Sequence, residues 1–306
     1  MLLSAQIFLP LFAIPTLFFL KKPHQIKLFY FFVCLINFGL GVGLLNRYGF
    51  FFTEKILAEK IMIFSRLGLN YAVSATATSL IIGVAISFLF LLFGPSLLND
   101  SVKKHAILLS IIAPVSQLVV FSENLFLSTL SAAVVVFLVF VFERKAVKPS
   151  IPGEGTSLSI GFNMLLMCCL VFCMLHESVH GYPDLDLLAL TSMRTPFVKG
   201  SFYSTQFVLS LLFSLGVLFF VTVSATRWVD SLRDKGSIVL YWVPLVSTSF
   251  FGLSFFPKLF PEVYTVYLSD FDFLKSFNSV AIITFLVSVL IQSYFLVSHS
   301  RRASNV

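Results

Sequence analysis

The stretch 207–223, "FVLSLLFSLGVLFFVTV", contains no charged residue. At a rise of about 1.5 Å per residue, an α-helix of this length covers most of the roughly 30 Å hydrocarbon core of a bilayer. Arg227, Trp228 and Asp230 follow it almost at once, and a border of charged and aromatic residues is typical of a membrane–water interface. The stretch therefore predicts a transmembrane helix.

The composition extends this interpretation to the whole chain. Of the 306 residues, 58% are hydrophobic and 11% are charged, whereas a soluble domain carries roughly a quarter charged residues. A backbone can cross hydrocarbon only as helices or as a closed barrel, and the alternation typical of membrane strands is absent. We therefore expect an all-α polytopic membrane protein.

Apolar runs of suitable length recur along the chain, separated by polar segments. The charged segment 47–70 cannot cross a membrane and is expected to lie at the interface, and 176–200 is expected to form a long loop. No segment has the composition of a soluble domain, so residues 1–306 are interpreted as a single transmembrane domain. Nine spans are predicted, at 2–20, 28–46, 71–94, 105–121, 124–142, 158–176, 203–224, 237–256 and 276–298.

The loop charges predict an orientation. Thirteen Lys and Arg residues fall in the loops and tail of one side, and eight in those of the other. Since Lys and Arg are enriched on the inner side of membranes, the amino terminus is expected outside and the carboxyl terminus inside.

Several functional classes find no support in the residue pattern. The net charge is +7, but the basic residues lie between spans, so nucleic-acid binding is not expected. The histidines lie at span ends or in loops rather than facing one another in mid-span, so no haem, metal or other cofactor is expected. The cysteines all lie within apolar runs and are expected to be packing residues: Cys34, Cys168, Cys169 and Cys173.

The amino terminus, "MLLSAQIFLP", has neither the basic start of a signal peptide nor the Arg-rich composition of a transit peptide. If the protein is mitochondrial, we expect it to be made inside the organelle. Two stretches of small residues, "GLGVG" at 39–43 and "SATATS" at 74–79, are expected to allow close helix packing.

Ionisable residues within a bilayer are costly and are often functional, and this chain has few. Glu123 lies at the junction of the fourth and fifth predicted spans, where a surface or capping carboxylate is expected. Gln117, Asn163 and Gln206 are polar residues of the spans, expected to form hydrogen bonds between helices. Because amides do not titrate, these residues do not make a proton path.

Six stretches, in order, resemble the antiporter-like membrane subunits of respiratory complex I, the proton-pumping NADH:quinone oxidoreductase, and chain 4 in particular. The resemblance covers roughly residues 65–298 and rests on shared order and spacing. The stretches are "RLGLNYAVS" at 66–74, "FSENLFLSTLSAAVVVF" at 121–137, "GYPDLDLLAL" at 181–190, "QFVLSLLFSLGVLFF" at 206–220 with the following "TRW", "GSIVLYWVPLV" at 236–246 and "FFPKLFPE" at 255–262.

The resemblance also identifies departures from the family. Its members carry a glutamate on the fifth span and a lysine on the seventh, which form the buried pair of a proton channel, and a further lysine on the eighth. These positions correspond here to Ala133, Phe219 and Val246. The resemblance thus implies an architectural subunit whose proton channel has degenerated.

In this interpretation residues 1–94 are leading helices, 105–256 form the first five-helix repeat, and 276–298 is the last helix. The implied partners are other membrane-arm subunits, a separate chain covering the missing second half, and phospholipid. The implied location is the mitochondrial inner membrane, with the gene in the organelle. An independent secondary transporter and a structural subunit of another respiratory complex are the alternatives.

Overall fold

A computed structural model describes residues 2–48, 57–64, 69–98, 102–143, 154–192, 202–231 and 238–260, and within them the chain is mostly helical. The helices are α1 (Leu2–Phe12), α2 (Ile14–Phe19), α3 (Pro23–Tyr48), α4 (Ala77–Phe93), α5 (Val102–Phe121), α6 (Leu125–Glu143), α7 (Glu154–His180), α8 (Leu187–Ser192), α9 (Phe202–Ser231) and α10 (Ile238–Leu259).

Four helical segments of this described part are long and apolar enough to cross a membrane: Leu2–Phe19, Pro23–Arg47, Val102–Phe121 and Ser157–His180. Four shorter apolar helical segments accompany them: Ala77–Phe93, Leu125–Val139, Val208–Ser224 and Val243–Gly252. The expectation of a helical membrane protein is therefore confirmed in its coarse form. The ninth predicted span, 276–298, lies outside the described residues.

The expectation of an all-α chain is wrong between α3 and α4. Here β1 (Leu57–Phe64) and β2 (Leu69–Ala75) form an antiparallel two-stranded sheet, with an irregular register between Met62 and Phe64. The charge of this segment predicts only that it stays out of the membrane. Its short run of β-branched and aromatic residues satisfies its backbone groups by pairing with the next strand, which charge does not reveal.

The third predicted span also begins later than expected, at Ala77 rather than residue 71. Thr76 is the N-cap of α4, and its hydroxyl accepts a hydrogen bond from the Ser79 amide at 3.2 Å while Ser79 Oγ accepts from the Thr76 amide at 2.8 Å. This reciprocal capping box satisfies the first free amides of the helix. The small residues at 74–79 thus end a strand and begin a helix rather than lining a packed span.

The buried side chains form two clusters. One is built largely from α1 to α5 and the other largely from α6 to α10. Within the second, Gly161 of α7 and Gly216 of α9 face each other, since a Cβ added to either would lie 3.1 Å from the carbonyl oxygen of the other. In the "GLGVG" stretch, only Gly41 makes such a close contact, with Gln6 and Val84, whereas Gly39 and Gly43 have open space.

The helix ends gather into two groups. At one end, the backbone amide of Leu3 donates to Glu59 of β1 at 3.1 Å, and β2 pairs with Ser122 at the end of α5. At the other end, Lys103 Nζ donates to the Phe18 carbonyl at 2.6 Å. The sheet and the two connections that follow α5 and α7 therefore share one end of the bundle.

Candidate functional site

A polar junction lies at the sheet end of the bundle, and it consists of Lys60, Asn70, Asn124, Asp184 and Asp186. Lys60 comes from β1, Asn70 from β2, Asn124 from the break between α5 and α6, and the aspartates from the loop between α7 and α8. All but Lys60 are buried, with exposures of 9% or less.

Asp186 is the most connected member of the polar junction. Its Oδ1 accepts from Asn124 Nδ2 at 2.9 Å, and its Oδ2 accepts from Asn70 Nδ2 at 3.3 Å and forms an ion pair with Lys60. Asp184 Oδ1 accepts from the same Asn70 group at 3.3 Å and from the Asp186 amide at 2.9 Å. Buried carboxylates need such donors, because an uncompensated buried charge costs several kcal/mol, on the order of 3–5 when a partner is removed.

Hydrogen-bond and ion-pair partners shift the pKa values of two charged residues at this end of the bundle. The hydrogen bond to Asp186 raises the pKa of Lys60 against the opposing effect of burial, and the charges of both aspartates add to the rise. Burial raises the pKa of Glu59, but hydrogen bonds from the amino terminus, Ser4 and the Leu3 amide outweigh it and hold the pKa below its usual range. Both ionised forms are therefore favoured near neutral pH.

A cavity of about 560 Å³ opens beside the polar junction. Its charged lining residues are Glu59, Lys60, Glu123, Asp184 and Asp186, and small or apolar side chains complete the wall. The described residues contain no group of three or more His, Cys, Asp or Glu side chains arranged to hold a metal ion.

Glu123, the carboxylate singled out from the sequence, lies in the break between α5 and α6. Its carboxylate accepts from Ser74 Oγ at 2.6 Å, its amide donates to the Ala72 carbonyl at 2.8 Å, and its carbonyl accepts from the Leu187 amide at 2.8 Å. It is partly buried. Glu123 thus joins the sheet to α8, and its hydrogen bonds give it a structural role at the helix ends.

The three amides singled out from the sequence lie in different surroundings. Gln117 is fully buried, and its Nε2 donates to Ser87 Oγ of α4 at 2.7 Å, so the expected bond between helices is confirmed there. Asn37 of α3 donates to the same oxygen at 3.4 Å. Asn163 lies on the exposed face of α7. Gln206 lies near the start of α9, and its side chain is outside the described part.

The three positions that the resemblance aligns with channel residues lie on three helices. Ala133 of α6 packs against the second core cluster. Phe219 of α9 is partly buried, with its Cβ 2.8 Å from the position that a Gly161 Cβ would occupy. Val246 of α10 is also partly buried.

Phenylalanine rings fill the space around these helices. The ring of Phe251 lies 5.5 Å from that of Phe213 and 5.1 Å from that of Phe255, and Phe260 contacts both Phe213 and Phe172. Offset or tilted rings at such distances are favourable, so aromatic packing occupies this interior.

Several hydroxyl groups of α9 and α10 donate hydrogen bonds to the backbone of their own helix. Ser224 Oγ donates to the Phe220 carbonyl at 2.8 Å, Ser247 Oγ to Val243 at 2.8 Å, and Thr248 Oγ1 to Pro244 at 2.6 Å. Bonds to the preceding turn satisfy a hydroxyl without a partner helix or water.

Two further local patterns in the sequence mark residues at this end of the bundle. Asp184 and Asp186 stand inside "GYPDLDLLAL", and their i, i+2 spacing after a proline is a recognisable sign of a turn closed by an aspartate side chain. His176, Glu177 and His180 have the spacing of a zinc-binding helix. His176 Nδ1–H, however, donates to the Tyr182 carbonyl at 2.8 Å, and its ring stacks on that of His180 with centroids 4.5 Å apart.

No known family model and no curated protein matches this chain.

Proposed function

We propose that the chain is an architectural membrane-arm subunit of a proton-pumping NADH:quinone oxidoreductase, corresponding to the first half of chain 4. It holds a place in the helix bundle and binds neighbouring subunits and phospholipid. NADH oxidation and quinone reduction belong to other subunits. The proposed location is the mitochondrial inner membrane, and the proposed gene lies in the organelle.

The observation that carries this proposal is the meeting of three separate stretches at the polar junction. Asn70, Asn124 and Asp186 each belong to a different stretch that resembles the family, and they are joined directly by hydrogen bonds. Residues that are far apart in sequence and that make one contact network are the kind of set that a shared fold retains. Their meeting supports one common origin for the three similarities.

The aromatic interior supports the architectural part of the proposal. A proton path needs titratable groups linked by water, and buried water needs about two to four polar partners. The hydroxyls of Ser224 and Ser247 already donate to their own helices, and the rings of Phe213, Phe251 and Phe255 lie between α9 and α10. This half of the bundle is thus better suited to packing than to proton transfer.

Copurification tests the proposal. The chain is tagged, extracted in mild detergent and purified, and the eluate is assayed for NADH:quinone oxidoreductase activity and analysed by mass spectrometry. We expect the activity to elute with the chain, together with several other membrane-arm subunits. An unrelated multi-pass protein of the same membrane, tagged in the same way, is the control. Elution of the chain without that activity would select one of the alternatives, a transporter or a subunit of another complex.

A further inference from the structure

One side of α7 carries a regular row of exposed residues, Ile160, Asn163, Met167, Leu170 and Met174, which we call the Asn163 face. The apolar members are 40% to 69% exposed, and Asn163 is also exposed. Their spacing of three, four, three and four residues is that of the contact seam of a left-handed helix pair.

The opposite side of α7 is already occupied. Leu165, Cys168, Cys169 and Phe172 belong to the second core cluster, and Gly161 lies against α9. In an 18-residue apolar window of the span Ser157–His180, 28% of the residues are buried, compared with 61% in the corresponding window of α5. Among the residues that the structure describes, the Asn163 face is therefore the uncovered side of a helix that is packed on its other side.

The polar side chain of Asn163 would be unfavourable on a surface that contacts only lipid. It lies roughly 8 Å along the axis from the middle of the apolar span, well inside a hydrocarbon core of roughly 30 Å. Its side chain forms no hydrogen bond with the described residues. An amide without a hydrogen-bond partner is unfavourable in an apolar medium, and polar side chains at this depth join helices.

Glu177 continues the same spacing at the end of α7, three residues beyond Met174, and its side chain is exposed. Asn163 and Glu177 are two heptads apart, about 21 Å along the helix. A second copy of the chain with the same orientation would place Glu177 opposite Glu177, and like charges repel. The charge pattern instead favours a different helix that carries a cation at this level.

We propose that the Asn163 face binds a transmembrane helix of a neighbouring subunit. This helix presents an amide or hydroxyl side chain opposite Asn163 and a Lys or Arg about two heptads away, opposite Glu177. The proposal rests on the proposed function, since it names the surface by which the architectural subunit meets a neighbour.

The first test is a cryo-EM structure of the assembly copurified with the tagged chain. We expect a helix of another subunit in van der Waals contact with Met167 and Leu170, with a hydrogen-bonding side chain within 3.5 Å of Asn163. Lipid, another segment of the same chain, or a second copy along this face would overturn the proposal.

The second test uses variants of the same assembly. Asn163→Leu should reduce retention of the neighbouring subunit by about three- to tenfold, since hydrogen bonds between membrane helices have this order of effect. Asn163→Gln, which keeps the amide, should restore most of the retention. Equal retention for both variants would contradict the proposal.

These outcomes separate the two proposals. Absence of NADH:quinone oxidoreductase activity from the purified material would overturn the proposed function, whereas an active assembly with only lipid along α7 would overturn the docking surface alone.

Discussion

Asn124 and Asp186 join the start of α6 to the start of α8 through side chains and backbone together. Asn124 Nδ2 donates to Asp186 Oδ1 at 2.9 Å, and the two residues form an isolated antiparallel bridge. Asn124 Oδ1 also accepts from the Leu127 amide at 3.1 Å, as an N-cap of α6. The same side chain thus begins one helix and fixes the loop that leads to another.

We expect Asp186→Ala to destabilise the folded chain by about 3 kcal/mol, because it removes the buried acceptor of Asn124 Nδ2, one of the two acceptors of Asn70 Nδ2 and an ion-pair partner of Lys60. Unfolding of the purified chain in detergent or nanodiscs measures this loss. Glu177→Ala, at an exposed carboxylate on the same side of the bundle, should change stability by less than about 0.5 kcal/mol. Equal effects of the two substitutions would show that the polar junction contributes no particular stability.

Gly161→Ala should destabilise the chain by about 1–3 kcal/mol, because the new methyl group would lie 2.8 Å from Phe219 Cβ and 3.1 Å from the Gly216 carbonyl oxygen. Gly39→Ala adds the same group where nothing lies within 4 Å. It should be neutral or slightly stabilising, since alanine favours a helix over glycine by up to about 1 kcal/mol. Parallel unfolding curves check the difference, and a stability loss for Gly39→Ala would contradict it.

Acidification should loosen the contact between β1 and the start of α1. The pKa of Glu59 is lower in the folded chain than in the unfolded chain. Its ionised form therefore contributes stability above the unfolded value of about 4.3, and this contribution is lost as pH falls through the folded pKa. Hydrogen exchange of residues 57–64 should rise in this range.

Glu59→Gln removes the titrating group and is the matched control for that measurement. The variant should lose the acid-dependent step while keeping any exchange that arises elsewhere. An unchanged acid step in Glu59→Gln would assign it to another group.

Glu123→Gln should leave the number of protons pumped per electron unchanged in reconstituted assemblies. Glutamine keeps an oxygen that can accept from Ser74 Oγ, so the break between α5 and α6 should retain its geometry. The ratio is measured in proteoliposomes with assembly checked by native electrophoresis. A clear fall in the ratio with normal assembly would make Glu123 a proton carrier.

The interior between α6, α9 and α10 should hold no continuous row of ordered water. The rings of Phe213 and Phe251 pack between α9 and α10, and the hydroxyls of Ser247 and Thr248 are bonded within their own helix. A cryo-EM map that resolves water is the measurement. A chain of water molecules passing Ala133 and Phe219 would refute both this expectation and the architectural role.

The sequence by itself determined the helical membrane character and the approximate position of most described helices. Within a bilayer, the backbone of an apolar run such as 207–223 can satisfy its hydrogen-bonding groups only internally. Composition is therefore sufficient to predict a helix there. The sequence likewise predicted that Gln117 bonds to another helix, because a buried amide needs a partner, but the structure identified that partner as Ser87.

Only the tertiary structure decided how the polar segments are used. Residues 57–70 read as part of a charged interfacial segment and 71–75 as the start of a span, yet together they form a sheet because β1 can pair with β2. From the local sequence alone, an ordinary loop or cap position is predicted for each of Lys60, Asn124 and Asp186. Their role depends on which helix ends meet in space, and that is set by the packing of distant apolar faces rather than by any local pattern.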